Sequence, residues 1–386
     1  MKNKITALAL CAAMAASLAA CGGSSGTGTS TAAAPAAGTA AAAGTAAAPS
    51  GGSQGSGSAA ADSELAKTAE EGMETSITCD PIELSLGCSG TVDGTVMGDA
   101  IDAAIAAASR WTNGNFKVTF YPGGQLGGDA EMISGMQMGS VDMYTGAPTS
   151  QVTVIPELAV MDIGGLFTDT DSANKVLSQF QDEMDTYYQK AGLHLMALYS
   201  PDFRILTSSK PVKSAADLKG LNIRTQENEY HMAFWKQLGT NPTPLAFGEL
   251  YIALQQGMLD AQENPWASIV GAKLNEVQKY IIKTNHIPFV STYVISKAKY
   301  DSMTPDQQKV CDQMVEYIKR YQLAGTVADD ERMAKLCTDM GCEVSDASED
   351  ILSLYPDASQ AVIDLMKAKV DPALVDKYVE TAKSVK

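Results

Sequence analysis

Leu238–Trp266 reads LGTNPTPLAFGELYIALQQGMLDAQENPW, and it decides how the rest of the chain is understood. A rigid loop, Asn241-Pro242-Thr243-Pro244, leads into a helix expected from about Phe247 to Gln256. Gly257 stops that helix, an apolar step (Met258-Leu259) follows, and the polar run Asp260–Asn264 closes on Pro265-Trp266. Proline fixes φ and cannot continue a helix, while glycine suits the left-handed position just past a helix end. A chain stiffened on both sides of a helix and then turned can hold a few side chains at fixed angles in a crevice. Phe247 and Asn264 are the candidates inside this stretch.

Just upstream lies Asp217-Leu218-Lys219-Gly220-Leu221-Asn222-Ile223-Arg224-Thr225, with Leu221 and Ile223 on one face of an expected strand and Asn222 and Arg224 on the other. Open α/β sheets bind ligands at the carboxyl ends of their strands. A guanidinium there can hold a carboxylate through two parallel, charge-assisted hydrogen bonds. Taken alone, a strand-end arginine is more often solvated.

Working outward, strands are expected at Ile82–Leu86, Phe116–Tyr121, Val141–Tyr144 and Leu193–Tyr199. Helices are expected at Val96–Trp111, Asp129–Met138 and Asp171–Ala191. Alternating strands and helices point to a mainly parallel sheet covered on both faces. Glu131-MISGM-Gln137-Met138-Gly139-Ser140-Val141-Asp142 echoes Glu249-LYIAL-Gln255-Gln256-Gly257-Met258-Leu259-Asp260 at an offset of 118 residues. That is too long for a solenoid and fits two similar α/β lobes. Crossings between lobes are expected near Leu195–Leu206 and Pro288–Ser296. Thr304-Pro305, a good helix start, opens a helical run to about Met340, long enough to lie across both lobes.

The chain begins with Lys2 and Lys4, an apolar run from Ile5, and Leu18-Ala19-Ala20-Cys21. This is a secretory signal (1–20), too short to span a membrane, ending in the pattern that makes Cys21 the lipidated first residue of a bacterial lipoprotein. Residues 22–61 are almost only Gly, Ala, Ser, Thr and Pro, and cannot bury enough apolar surface to order themselves. The stretch 21–76 is expected to be a lipid-anchored tether with a reach of about 40 Å. Gly22-Gly23-Ser24-Ser25-Gly26 fits a nucleophile-elbow pattern but lacks the strand-to-helix turn it needs.

A net charge of −17 argues strongly against nucleic-acid binding and disfavours polybasic adhesion to anionic lipids. An acidic protein can still bind an acidic ligand, because at physiological salt charges beyond about 8 Å are largely screened and a local arginine decides. Cys79 and Cys88 flank an extended strand, about 30 Å apart if fully stretched, too far for a disulfide; Cys337 and Cys342 could pair across Gly341, and Cys311 completes an odd count. No CxxC or HxxxH spacing supports a metal, and His194, His231 and His286 are scattered. The folded part has no elbow serine and no HExxH, so catalytic residues and cofactors are expected to be absent and a secreted hydrolase is disfavoured.

LKGLNIR, LGTNPTPLAFGELY and ALQQG..DAQENP together resemble, in order and spacing, the extracytoplasmic solute-binding proteins of TRAP transporters, the dicarboxylate-binding type. Ala261 stands where that family usually has glycine. The weaker resemblance runs from about Ile82 to the C-terminus. It implies an α/β, two-lobed periplasmic-binding-protein-like fold, with a cleft between the lobes and a long helix spanning both. Lobe I is expected over 77–201 and 289–329, lobe II over 202–288 and 330–386. Arg224 matches the family's carboxylate-binding arginine, Arg204 a second ligand-facing one, and Asn264 its ligand-contacting asparagine. Phe247 is a candidate pocket wall; Gly87, Thr95, Gln125 and Tyr144 are candidates by position, and His286 falls at hinge or pocket. The implied role is capture of a small organic acid (a C4-dicarboxylate, a sugar acid or a 2-oxo acid) by a monomer. That monomer would deliver it to small and large TRAP membrane subunits for ion-driven uptake. A binding protein of another transporter class and a ligand sensor are the alternatives.

Overall fold

The computed structural model describes residues 63–385; Cys21 and the stretch 1–62 lie outside the described residues. Nine strands form one mixed sheet: β1 (Ile82–Gly87), β2 (Phe116–Tyr121), β3 (Met143–Gly146), β4 (Leu193–Ser208), β5 (Asn222–Thr225), β6 (Asn241–Pro244), β7 (Ala261–Asn264), β8 (Tyr280–Ser296) and β9 (Glu343–Asp346). Their order is β2-β1-β3-β8-β4-β7-β5-β6, with β9 also on β8. The outer pairs β1–β2, β1–β3, β5–β6 and β5–β7 are parallel, as the strand–helix alternation predicts. The centre is not. β4 and β8 run antiparallel to each other, and each also pairs antiparallel with a short strand.

Those two long strands organise the molecule. The C-terminal half of β8 (Thr292–Ile295) pairs with β3, while its N-terminal residues Tyr280–Lys283 pair with β9. The N-terminal half of β4 pairs only with β8, whereas Ile205–Ser208 also bonds β7. The same two strands thus serve two half-sheets. Between the halves the β4–β8 register slips three times, at Leu195/Ala197, Tyr199/Asp202 and Arg204/Leu206. Bulges bend a strand and re-aim its side chains, so the stretch carrying Arg204 turns out of the regular ladder.

Three apolar clusters hold the layers. One contains Met132, Val176, Leu195, Phe234, Val362 and Tyr378, and includes residues from both half-sheets. A second packs the alanine-rich helix Val96–Trp111 on Val310, Met314 and Ile318. A third joins Leu250, Leu254 and Ile269 to Met333 and Cys337. The helix Pro305–Asp339 therefore reaches two separate clusters, which explains its length. Thr304 caps it as expected, accepting from the Gln307 amide at 3.3 Å. Gly325 is a point of close approach on this helix: a Cβ there would sit 2.6 Å from Val96 Cγ2 and 2.9 Å from Leu65 Cδ1.

Several expectations need correction. Asn241–Pro244 is not a loop but the edge strand β6; an edge tolerates proline because one side of the strand bonds nothing. The tether cannot extend to residue 76, because Glu64–Glu70 is a helix. Ala66 and Ala69 are buried in the second cluster, and Ser63 hydrogen-bonds Tyr321 at 3.2 Å. Its low-complexity flank hides a segment whose order comes from packing on the long helix. Val141–Tyr144 is shifted, with strand geometry at Met143–Gly146. The echo has a structural counterpart: Gly139 and Gly257 both follow a helix in the left-handed conformation, and a strand of the sheet follows each. Cys79, Cys88, Cys311, Cys337 and Cys342 are all buried free thiols. No helix among the described residues is long and apolar enough to cross a membrane.

Candidate functional site

The polar run before Pro265 is a fully buried central strand, and that defines the site. Gln262, Glu263 and Asn264 of β7 are 0%, 0% and 3% exposed, between β4 and β5. Burying three such side chains is tolerable only if each is hydrogen-bonded. Arg204, on the bulged part of β4, supplies most of the partners. Its Nε donates to Glu263 Oε2 at 2.5 Å and its Nη2 to Glu263 Oε1 at 3.1 Å, a two-point contact. The same Nη2 also donates to the Glu263 carbonyl at 2.7 Å and to Asn264 Oδ1 at 2.9 Å. Asn264 Nδ2 donates to Gln262 Oε1 at 2.6 Å, and Gln262 Nε2 to Thr207 Oγ1 at 2.8 Å.

Behind Glu263 stand two histidines. His286 Nε2 lies 3.1 Å from Glu263 Oε2, and its Nδ1 lies 2.9 Å from Thr284 Oγ1. His231 Nδ1 is 3.6 Å from Glu263 Oε1, and its Nε2 is 3.2 Å from Asp162. Asp162 in turn accepts from Asn228 and Thr149, each at 2.8 Å. Burial alone would raise the Glu263 carboxyl, but Arg204 and the two histidines hold it well below the usual range. Burial opposes the charge on His231, yet Asp162 and Glu263 overcome it and lift its pKa to about 9. For His286 burial wins and the pKa is lowered. At neutral pH the chain Asp162⁻–His231⁺–Glu263⁻–Arg204⁺ alternates in sign, which is how a buried charge cluster becomes affordable.

Arg224, at 2% exposure on β5, is held differently. Its Nε and Nη2 both donate to the Leu245 carbonyl, at 2.8 and 2.6 Å, and no carboxylate bonds it. Burial pushes its pKa down to about 10; Glu263 acts against that and Arg204 with it. It remains a cation at neutral pH whose hydrogen-bond partner is a neutral carbonyl. The Phe247 ring lies 5.9 Å from its guanidinium carbon, as Phe289 does from that of Arg204. The Nη1 atoms of Arg204 and Arg224 are both buried and have no acceptor.

The structure thus brings together Arg204, Asn264 and His286, and separately Arg224 and Phe247. Tyr144 is fully buried and donates to Asp129 Oδ1 at 2.9 Å; Asp129 is near enough to act on the charge of Arg224. Thr95 is occupied as a helix cap, accepting from Gly98 N at 3.2 Å and donating to Val92 O at 2.6 Å. Gly87 ends β1, where a Cβ would strike Met132 Sδ at 2.5 Å. Gln125 is exposed on the loop after β2. Glu263, His231, Asp162 and Asp129 escape the sequence reading, although Glu263 stands within the QENP motif itself. No group of three or more histidine, cysteine or acidic side chains among the described residues could hold a metal.

Two buried arginines, Arg204 on the bulged stretch of β4 and Arg224 on β5, thus lie on either side of the polar strand β7. The chain belongs to the family of bacterial extracellular solute-binding proteins, family 7, whose model matches residues 90–369. Like other members of this TRAP-type family it is a solute-binding protein and not an enzyme, with the two-lobed fold of its structural neighbours. It is 33% identical over 235 residues to the 2,3-diketo-L-gulonate-binding periplasmic protein of Escherichia coli, covering 60% of this chain and 72% of that one. Among solved structures, the sugar-acid-binding protein of Advenella mimigardefordensis, in complex with galactonate, superposes with a TM-score of 0.76 at 25% identity, covering 80% of this chain and all of that one. A TRAP solute-binding protein of Polaromonas bound to D-erythronate gives 0.70 at 28% identity, covering 77% of this chain and 98% of that one.

Proposed function

We propose that this protein captures a small organic acid of the sugar-acid type and hands it to a pair of TRAP membrane subunits. The observation that carries the reading is Arg224 Nη1: a buried donor, on a cation with no bonded carboxylate, lacking an acceptor. Leaving such a donor unmade is costly, and a ligand carboxylate supplies both the acceptor and the charge. Arg204 is already neutralised by Glu263, so its Nη1 takes a second oxygen of the ligand without demanding a second charge. Relatives and structural neighbours named for diketogulonate, galactonate and erythronate support a hydroxylated acid with one carboxylate. Asn264 and Phe247 border the arginines and complete the ligand's surroundings in this reading, with Tyr144 approaching from the other half-sheet.

Closure belongs to the same proposal. Lobes of roughly 77–201 with 289–329, and 202–288 with 330–386, would shut about the register slips in β4 and β8. A lipid on Cys21 would keep the protein at the outer face of the cell membrane, and Cys21→Ser should release it from the membrane fraction. A thermal-shift screen of residues 63–386 against aldonates, uronates, 2-oxo acids and C4-dicarboxylates tests the assignment. Aldonates should raise the melting temperature most, and ligand at 100 times its Kd adds about 2.7 kcal/mol of stability. A screen in which only neutral sugars or amines stabilise the protein contradicts it.

A further inference from the structure

Two carboxyl groups, Asp202 and Asp330, line a small cavity that no basic side chain enters. Asp202 lies on β4 between two register slips, two residues before Arg204. Asp330 lies on the long helix Pro305–Asp339. They share one cavity with Asp329, Gln322, Thr326 and Phe289, and no lysine, arginine or histidine lines it. Asp202 Oδ1 accepts from the Phe203 amide at 2.5 Å, and the Trp266 amide favours the charged carboxyl. Its Oδ2 is buried and has no hydrogen-bond partner, while Asp330 lines the same cavity.

The other charged groups nearby are spoken for. Asp329 accepts from the Val96 amide at 2.8 Å and pairs with Arg332 at 2.5 Å; Arg332 also bonds the Gly94 carbonyl at 2.7 Å. Asp99, on the helix packed against this turn, feels Asp329 and Arg332. Arg204 is engaged by Glu263. Two carboxylates that share a cavity with no cation cannot both ionise cheaply, and a hydrogen bond between them requires a proton on one.

We propose that Asp202 and Asp330 form a one-proton carboxyl pair that ties the crossing strand to the long helix, and that this tie loosens when the proton is lost. The bond is O–H···O⁻; hydroxide or buffer base removes the proton, leaving two carboxylates facing each other across the cavity. Burial raises both carboxyls above the ordinary aspartate range, Asp330 further because of Asp202. The native state therefore holds a proton that the unfolded chain gives up above about pH 4, and stability falls as pH rises until the pair is fully ionised. His231, whose folded pKa is raised to about 9, tilts stability the same way, so the diagnostic quantity is the difference between wild type and variant.

Thermal unfolding of the ligand-free protein and of Asp330→Asn, from about pH 5 to about pH 10, reads that difference. The asparagine donates an N–H to Asp202 with no proton to lose, so the variant should gain on the wild type steadily as pH rises. Asp202→Asn should do the same, and serves if Asp330→Asn fails to fold. Infrared spectra should show the C=O stretch of a buried protonated acid in the wild type at neutral pH and lose it in either variant. A gap that is constant with pH, or a wild type without that band, overturns the pair.

Discussion

Arg204 and Arg224 are equally buried, yet their substitutions should fail in different ways. Arg204 is half of a buried ion pair, so Arg204→Ala leaves Glu263 charged and uncompensated beside two histidines. Removing one partner of such a pair costs about 3–5 kcal/mol, and equilibrium urea unfolding should show it before any ligand is added. Arg224 bonds only the Leu245 carbonyl, so Arg224→Ala should leave unfolding nearly unchanged and appear in binding. Equal losses of stability in the two variants would contradict this division. In the sequence, the resemblance to the family's motifs is what singles out Arg224 and Asn264. Glu263 carries no such signal: a glutamate in a polar run reads as solvated, and its burial depends on Arg204, 59 residues earlier, and on His231 and His286.

Among elements, those with strong local patterns are legible. Val96–Trp111, Phe116–Tyr121 and Asp129–Met138 fall where alanine-rich periodicity, alternation and a glycine stop put them. Elements made by tertiary contact are not. β7 has no apolar residue but Ala261, β6 is half proline, and the helix Glu64–Glu70 owes its place to the long helix. The close approach at Gly325 makes that dependence testable. In an open helix Gly→Ala gains about 1 kcal/mol. Here the added methyl would meet Val96 Cγ2 and Leu65 Cδ1 at under 3 Å, so Gly325→Ala should instead loosen the contacts of Glu64–Glu70 and of the Val96–Trp111 helix start. Limited proteolysis should then cut within 64–76 faster than in the wild type. An unchanged cleavage rate with a raised melting temperature would mean that both neighbours shift without cost.

At the scale of the whole molecule, the two long strands pair in both half-sheets and the Pro305–Asp339 helix packs on two separate clusters, so the proposed closure would act through them. Ligand should lower the radius of gyration in solution scattering; a tight ligand that leaves the curve unchanged argues for a preformed pocket. Everything in this account turns on one contact, a ligand carboxylate on Arg224. Removing one partner from a desolvated charged pair costs about 2–5 kcal/mol, a loss of roughly 30- to several-thousand-fold in affinity. Arg224→Lys keeps the charge but loses the fork, and should fall between wild type and alanine. The direct measurement is calorimetric titration of wild type and Arg224→Ala with the best acid from the screen and with its primary amide. Replacing carboxylate by amide should weaken the wild type severely and Arg224→Ala little. Equal losses in the two proteins would show that the carboxylate sits elsewhere.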